Sequence, residues 1–118
     1  MQKKRITRLN YLKKITDSDP VRMKELIRLF LEQSVEYRNG LKNALLQEQW
    51  NNLGRLAHKA RSSVLVFGMQ ELGVLLKFLQ QYTKDPVDVT ACTWAVGEFE
   101  QTILQAEQEL QDELKKLS

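Results

Sequence analysis

The 118-residue sequence contains one cysteine, one histidine, two prolines and five glycines. The single cysteine, Cys92, excludes an internal disulfide framework and fits a reducing compartment. With one histidine and one cysteine, the chain lacks the ligands for a zinc site made of protein side chains alone. The shortage of turn-forming residues predicts few secondary-structure elements, each of them long.

Membrane and enzyme signals are also missing. No stretch reaches the roughly 20 apolar residues of a membrane span, and the basic opening MQKKRITRLNYLKK lacks the apolar run of a secretory signal. We therefore expect a cytoplasmic protein without membrane insertion. The sequence has no GxxxxGK[ST] loop, no GxGxxG after a strand and no GxSxG elbow, so the usual signals of nucleotide binding and hydrolase chemistry are absent.

The charges are mixed along the chain. The 18 Lys and Arg residues are interleaved with 15 acidic ones, giving a net charge of +3, and this balance does not require a nucleic-acid partner. The opening segment carries no acidic residue before Asp17, which leaves open a targeting peptide or a binder of lipid surfaces or nucleic acid. Such binding would be strongly salt-dependent and would be lost on deletion of residues 1–8.

The first long helix has a clear start signal. Asp19 is a favoured N-cap and Pro20 a favoured first helical residue, so a helix is predicted from here to about Gln47. Its apolar stripe keeps its phase across Asn39-Gly40, which predicts a kink at that dipeptide and not a loop.

Three further apolar stripes follow, over residues 53–67, 72–79 and 95–117, and Gly68 is predicted to end the helix of the first of them. A short helix is predicted near residues 5–15. These elements predict an all-α fold, an up-and-down four-helix bundle with a short additional N-terminal helix, in a single domain spanning residues 1–118.

The orientation of the only histidine is informative. At about 100° per residue, and with Leu53 taken as the core direction, His58 lies about 140° away and therefore faces outward. Gly54 and Ser62, one turn to either side, are small and leave the imidazole sterically open.

Cations surround this outward face. Arg55 and Arg61 lie three residues to either side of His58, and Lys59 is adjacent, a setting that suits a dianionic phosphoryl group. Leu65, seven residues after the histidine, lies on the same side and is predicted to belong to a docking patch.

Other interpretations remain open at this point. A lone exposed histidine among arginines is usually a solvated surface residue, and Gly54 is explained equally well by a neighbouring helix of the bundle. A nucleophile pair of Cys92 and His58 is formally possible, although nothing local activates the thiol and a lone cysteine is most often a small buried apolar residue.

The same residues resemble the signature of a known family, the histidine-containing phosphotransfer (HPt) domains of bacterial two-component phosphorelays. The family pattern is roughly AH-x-LK-G/S-S, with a glycine ten residues after the histidine and a leucine-rich helix that ends in Leu-Glu or Leu-Gln. The matching residues are Leu56-Ala57-His58-Lys59-Ala60-Arg61-Ser62-Ser63, Phe67-Gly68, Glu71-Leu72 and Leu79-Gln80. Ala60 stands where leucine is common and Arg61 where lysine is usual.

The resemblance implies a role for each residue. His58 is the phosphoacceptor, Lys59 and Arg61 stabilise the phosphoryl group, Ser62 is the small residue under the ring, and Gln80 orients the imidazole from the next helix. Docking is assigned to the outward face, at Gly54, Arg55 and Leu65.

The resemblance also implies which partners the protein has and which of the proteins supplies the metal ion. The protein is expected to be a monomeric phosphoryl carrier without kinase activity of its own, serving receiver domains of response regulators and of a hybrid histidine kinase. It binds no cofactor or metal, and Mg²⁺ is supplied by the receiver domain. The alternative is an HPt-like interaction module that binds a receiver without phosphotransfer.

Overall fold

Five helices make up the fold of residues 4–118. The computed structural model describes residues 4–118, so Met1 to Lys3, part of the predicted domain and of its basic opening, lie outside the described residues. The helices are α1 Asn10–Ile15, α2 Pro20–Leu46, α3 Trp50–Val66, α4 Gln70–Tyr82 and α5 Val89–Leu117. Helix α2 packs against α3 and α5, and α4 also packs against both, which confirms the predicted four-helix bundle with a short N-terminal helix.

No strand occurs within these residues. Nor does the described part of the chain contain a helix long and apolar enough to cross a membrane.

Helix α2 begins as its sequence predicts. The Asp19 carboxylate accepts a hydrogen bond from the backbone N–H of Val21 at 3.0 Å, and Pro20 is the first helical residue. The helix continues through Asn39-Gly40 without a loop, in agreement with the unbroken apolar stripe. A Cβ atom on Gly40 would lie 3.2 Å from Cδ1 of Leu56, so the glycine permits the close approach of α3.

Helix α3, which carries His58, is fixed by its inner face and by its end. The fully buried side chains of this helix are Leu53, Ala57, Ala60 and Val64. The Tyr37 hydroxyl on α2 and the Ser63 hydroxyl on α3 are hydrogen-bonded at 3.0 Å, which holds the rotation of α3 about its axis.

Gly68 ends α3 with a φ of +72°, a conformation that favours glycine. A Cβ atom at this position would also lie only 2.6 Å from the Cβ of Arg8. The residue therefore allows both the sharp turn into α4 and the close passage of the N-terminal segment.

The predicted N-terminal helix near residues 5–15 is shorter than expected. Helix α1 begins only at Asn10, because the backbone donors that precede it are used by the bundle. The Ile6 and Thr7 N–H groups donate to the Glu109 carboxylate on α5, the latter at 2.8 Å, and the Arg8 N–H donates to the Phe67 carbonyl at 2.8 Å. Residues 4–9 therefore form a segment held against the bundle, which we call the strap.

Candidate functional site

His58 lies near the middle of α3 with its side chain exposed, as the helical phase predicts. Beside it is an open groove of about 930 Å³. The groove lies between the first turns of α3, the end of α4 and the connection to α5. Its walls include Trp50, Asn51, Asn52, Gly54, His58, Gln80, Thr83, Lys84, Asp85 and Val87.

Gln80 is the residue of α4 that lines this groove together with His58. It is half-buried, and its Nε2 atom is buried without a hydrogen-bond partner among residues 4–118. Because a buried N–H group without an acceptor is unfavourable, this amide keeps an unmet hydrogen-bonding capacity at the edge of the groove. The structure therefore brings the predicted orienting residue to the same groove as the histidine.

Packing against the end of α4 explains why residue 54 is a glycine. A Cβ atom there would lie 2.7 Å from Oγ1 of Thr83, the residue that caps α4. The Thr83 hydroxyl in turn donates to the Gln80 carbonyl at 2.7 Å. Gly54, predicted as a docking residue, thus lets the end of α4 come close enough to place Gln80 near His58.

The three predicted cations differ in their surroundings. Lys59 is exposed and points about 100° away from His58 around the helix. Arg61 is half-buried, and its Nε atom is buried without a partner within the described chain. Arg55 is exposed and donates to Oδ1 of Asn52 at 2.6 Å. None of the three is among the residues that line the groove.

Ser62 and Leu65 line a second groove, of about 560 Å³, on the other side of His58 along α3. Arg8, Asn10 and Tyr11 form its opposite wall. Ser62 is exposed, whereas Leu65 is half-buried.

Leu65 is held in this position by α4. Its Cδ2 atom would lie 2.8 Å from a Cβ atom built on Gly73, so the leucine fits over a glycine. Only part of its side chain faces the groove.

Lys84 and Thr83 are site residues that the sequence analysis missed. They belong to the end of α4 and its connection to α5, where no apolar periodicity points to a role. Thr83 and Lys84 lie near the start of α3 because α3 and α4 pack antiparallel to each other. The predicted up-and-down bundle was the one result of the sequence analysis from which this proximity could have been inferred.

Cys92 has no part in the site. It is fully buried on α5, and burial, followed by the nearby negative charge of Asp88, raises the pKa of its thiol above the ordinary value. His58 is exposed on α3, so the two side chains share no surface and the nucleophile pair considered above is not formed.

Comparisons with known proteins gave one match, to a protein-family model. Neither the curated proteins nor the solved structures contain a match. A family model described as the Hpt domain matches residues 25–118, which include α3, α4, His58 and Gln80. Hpt domains are phosphocarriers, not enzymes; they act in histidine phosphotransfer of two-component systems and interact with receiver domains. The match covers well over half of the sequence, and the chain therefore belongs to the Hpt domain family.

Proposed function

We propose that His58 accepts a phosphoryl group from the phosphoaspartate of one receiver domain and passes it to an aspartate of another. The observation that carries this proposal is the position of the chain's only imidazole. It is exposed on α3, beside a groove that also contains a buried amide donor without a partner among residues 4–118. An accessible nucleophile held near a hydrogen-bond donor is what a carrier requires.

The chemistry is an in-line displacement at phosphorus. The unprotonated ring nitrogen of neutral His58 attacks the phosphorus, a P–N bond forms, and the P–O bond to the receiver's aspartate breaks. The aspartate leaves as a carboxylate, and the other ring nitrogen keeps its proton. The reverse of these steps delivers the phosphoryl group to the second receiver.

Gln80 has both groups needed to assist this displacement. In the proposal, its carbonyl oxygen accepts the ring N–H and so fixes which nitrogen attacks. When the side-chain amide turns toward the groove, its Nε2 group, which has no partner within residues 4–118, donates to a phosphoryl oxygen. The end of α4, held close to Gly54 through Thr83, supports this placement.

The remaining residues stabilise charge and leave space. Lys59 and Arg61 supply positive charge for the phosphoryl oxygens, and Ser62 leaves room beneath the ring. Mg²⁺ and most of the catalysis come from the receiver domain, since phosphoryl transfer depends mainly on positioning and on charge stabilisation. We place the protein in the cytoplasm as a monomer, between a hybrid histidine kinase and a response regulator.

A phosphotransfer profile against all receiver domains of the source organism tests the proposal. At least one phosphorylated receiver should transfer its label to the wild-type chain, and the His58→Gln variant should take none. Label that persists in the variant would contradict the proposal. A pull-down with and without phosphodonor identifies the alternative, an interaction module, by binding of a receiver without any label.

A further inference from the structure

We infer that the outward face of α5 docks an amphipathic helix of a partner protein, one whose apolar stripe is bordered by lysine or arginine. The inference goes beyond phosphotransfer and does not depend on it. Helices α3 and α5 each pack against both α2 and α4, so the two helices occupy diagonally opposite corners of the bundle. A partner helix on α5 therefore leaves His58 on α3 accessible.

The outward face of α5 carries a stripe of residues without charge. At about 100° per residue, five exposed residues fall within an arc of about 80° that lies opposite the buried Phe99. They recur at alternating intervals of three and four residues, which is the spacing by which two helices pack side by side. We call these residues the α5 stripe: Trp94, Gly97, Gln101, Leu104 and Gln108.

Two large apolar side chains stand exposed on the α5 stripe. Trp94 is 56% exposed and Leu104 is 47% exposed. Tryptophan is enriched among the side chains that contribute most to binding at protein interfaces. The two residues are about 15 Å apart along the helix axis, so a partner helix of about three turns covers both.

Gly97 has no explanation within the bundle. A glycine inside a helix costs about 1 kcal/mol relative to alanine, so its presence requires a reason such as close packing. At each of the other four glycines, an added Cβ atom would lie within 3.2 Å of another atom of the chain. At Gly97, which lies between Trp94 and Leu104, it would meet no atom of residues 4–118 within 4 Å. A partner helix that approaches the α5 backbone closely supplies the missing reason.

The charge of α5 selects the occupant. The helix carries six acidic side chains and only two basic ones, Lys115 and Lys116, both in its last turn. Glu98 and Glu100 border the α5 stripe on either side and form no salt bridge within residues 4–118. A basic helix is therefore attracted to this face, whereas a second copy of the chain would bring two acidic helices together.

Binding is measured by fluorescence anisotropy with two labelled synthetic peptides of about 21 residues, long enough to form an isolated helix. Both peptides carry leucine at three- and four-residue intervals, bordered by lysine in one and by glutamate in the other. The full chain should bind the lysine peptide at least about tenfold more tightly than the glutamate peptide. Changing both Glu98 and Glu100 to glutamine should weaken the lysine peptide's binding at low salt, with a smaller effect at high salt.

Trp94→Ala should weaken binding of the lysine peptide about tenfold, as expected for an aromatic anchor. Tyr11→Ala is the matched control, because Tyr11 is 52% exposed on α1 and lines a groove with α3 residues. The control should change the binding less than about twofold.

Gly97→Ala separates docking from folding. Because the added methyl group meets no atom of residues 4–118, the variant should unfold at a higher urea concentration than the wild type. The same methyl group should weaken binding of the lysine peptide about threefold, and Gly97→Leu should weaken it about tenfold or more, because both hold the two helices apart.

No binding of the lysine peptide up to about 100 μM would overturn the inference, as would binding that Trp94→Ala and Gly97→Leu leave unchanged. Analytical ultracentrifugation of the full chain at the same concentrations tests a second copy as the occupant. A dimer that Trp94→Ala dissociates would overturn the basic partner helix, whereas a monomer in both cases supports it.

Discussion

At the scale of single residues, Gly54 on α3 lies directly against Thr83 at the end of α4. A mid-helix glycine costs about 1 kcal/mol relative to alanine, so Gly54→Ala would stabilise an unobstructed helix. Here the new Cβ atom would lie 2.7 Å from the Thr83 hydroxyl oxygen. We predict that Gly54→Ala lowers the free energy of unfolding by about 1–3 kcal/mol, because the added methyl overpacks this contact.

The double-mutant cycle with Thr83→Ala tests this coupling in urea unfolding. Without the hydroxyl, the nearest remaining Thr83 atom, its Cβ, lies 3.7 Å from the added methyl, an ordinary contact distance. Gly54→Ala should then be neutral or stabilising by up to about 1 kcal/mol. Equal losses in the two backgrounds would show that Thr83 is not the obstacle.

We predict that replacing Gln80 slows phosphotransfer without lowering the free energy of unfolding. Replacing a buried amide donor that has no partner within residues 4–118 with leucine should leave the free energy of unfolding unchanged or raise it. The same Gln80→Leu change should slow transfer to His58 about tenfold, since it removes one hydrogen bond worth about 1.4 kcal/mol in the transition state.

Stopped-flow transfer and urea unfolding measure the two effects of this substitution. The exposed neighbour Gln81 provides the control, and Gln81→Leu should leave the transfer rate unchanged. A Gln80→Leu variant that transfers normally but unfolds more easily would show that Gln80 has only a structural role.

At the scale of elements, the helices were predictable and the strap was not. The starts and ends of α2, α3 and α4 follow from local signals such as Asp19, Pro20 and Gly68, whose effects act within one or two turns. Residues 5–9 were predicted to be helical, but their conformation is fixed by Glu109, about 100 positions away. No local pattern in the sequence reveals a contact of that separation.

The site was predictable to a similar degree. The outward orientation of His58 follows from its helical phase alone. The proximity of Gln80 came from the family resemblance, because the spacing of residues does not show which side of α4 faces α3. Lys84 was missed because it lies in a connection, whose path depends on the packing of the helices it joins.

The stabilisation that the strap provides depends on pH, because it requires the ionised carboxylate of Glu109. Burial by itself raises the pKa of the Glu109 carboxyl, but hydrogen bonds from Thr7, Ile6 and Gln105 outweigh it, so the pKa lies below its ordinary value. The unfolded chain therefore takes up the proton first as the pH falls. The stabilisation is complete above the ordinary pKa of about 4.3 and is lost as the pH falls through the lowered value in the folded state.

Glu109→Gln measures this contribution. At pH 7 the free energy of unfolding of the variant should be about 1–3 kcal/mol lower than that of the wild type, since the variant loses charge-assisted hydrogen bonds. The difference should shrink as the pH falls below about 4. Glu98→Gln, an exposed change on the same helix, should show little effect at any pH. A Glu109→Gln deficit that is constant from pH 7 to pH 3 would contradict this account.

At the scale of the whole molecule, the bundle is a rigid support for the exposed imidazole of His58. Helix α3 packs against both α2 and α4, so its inner face is buried and only a strip of residues around His58 faces outward. The Arg38 guanidinium joins α2 to Glu107 on α5 through hydrogen bonds of 2.8 and 3.2 Å, which braces the opposite side. The fold thus holds the proposed phosphoacceptor in a fixed position on the surface of α3.

Localisation of the phosphoryl group tests the central claim most directly. The wild-type chain is incubated with a phosphorylated receiver domain and Mg²⁺, digested at alkaline pH, and mapped by mass spectrometry. The account predicts one phosphoryl group per chain, on His58, stable in base and lost in acid as a phosphoramidate is. A phosphoryl group on any other residue, or acid-stable label that remains in the His58→Gln variant, would contradict it.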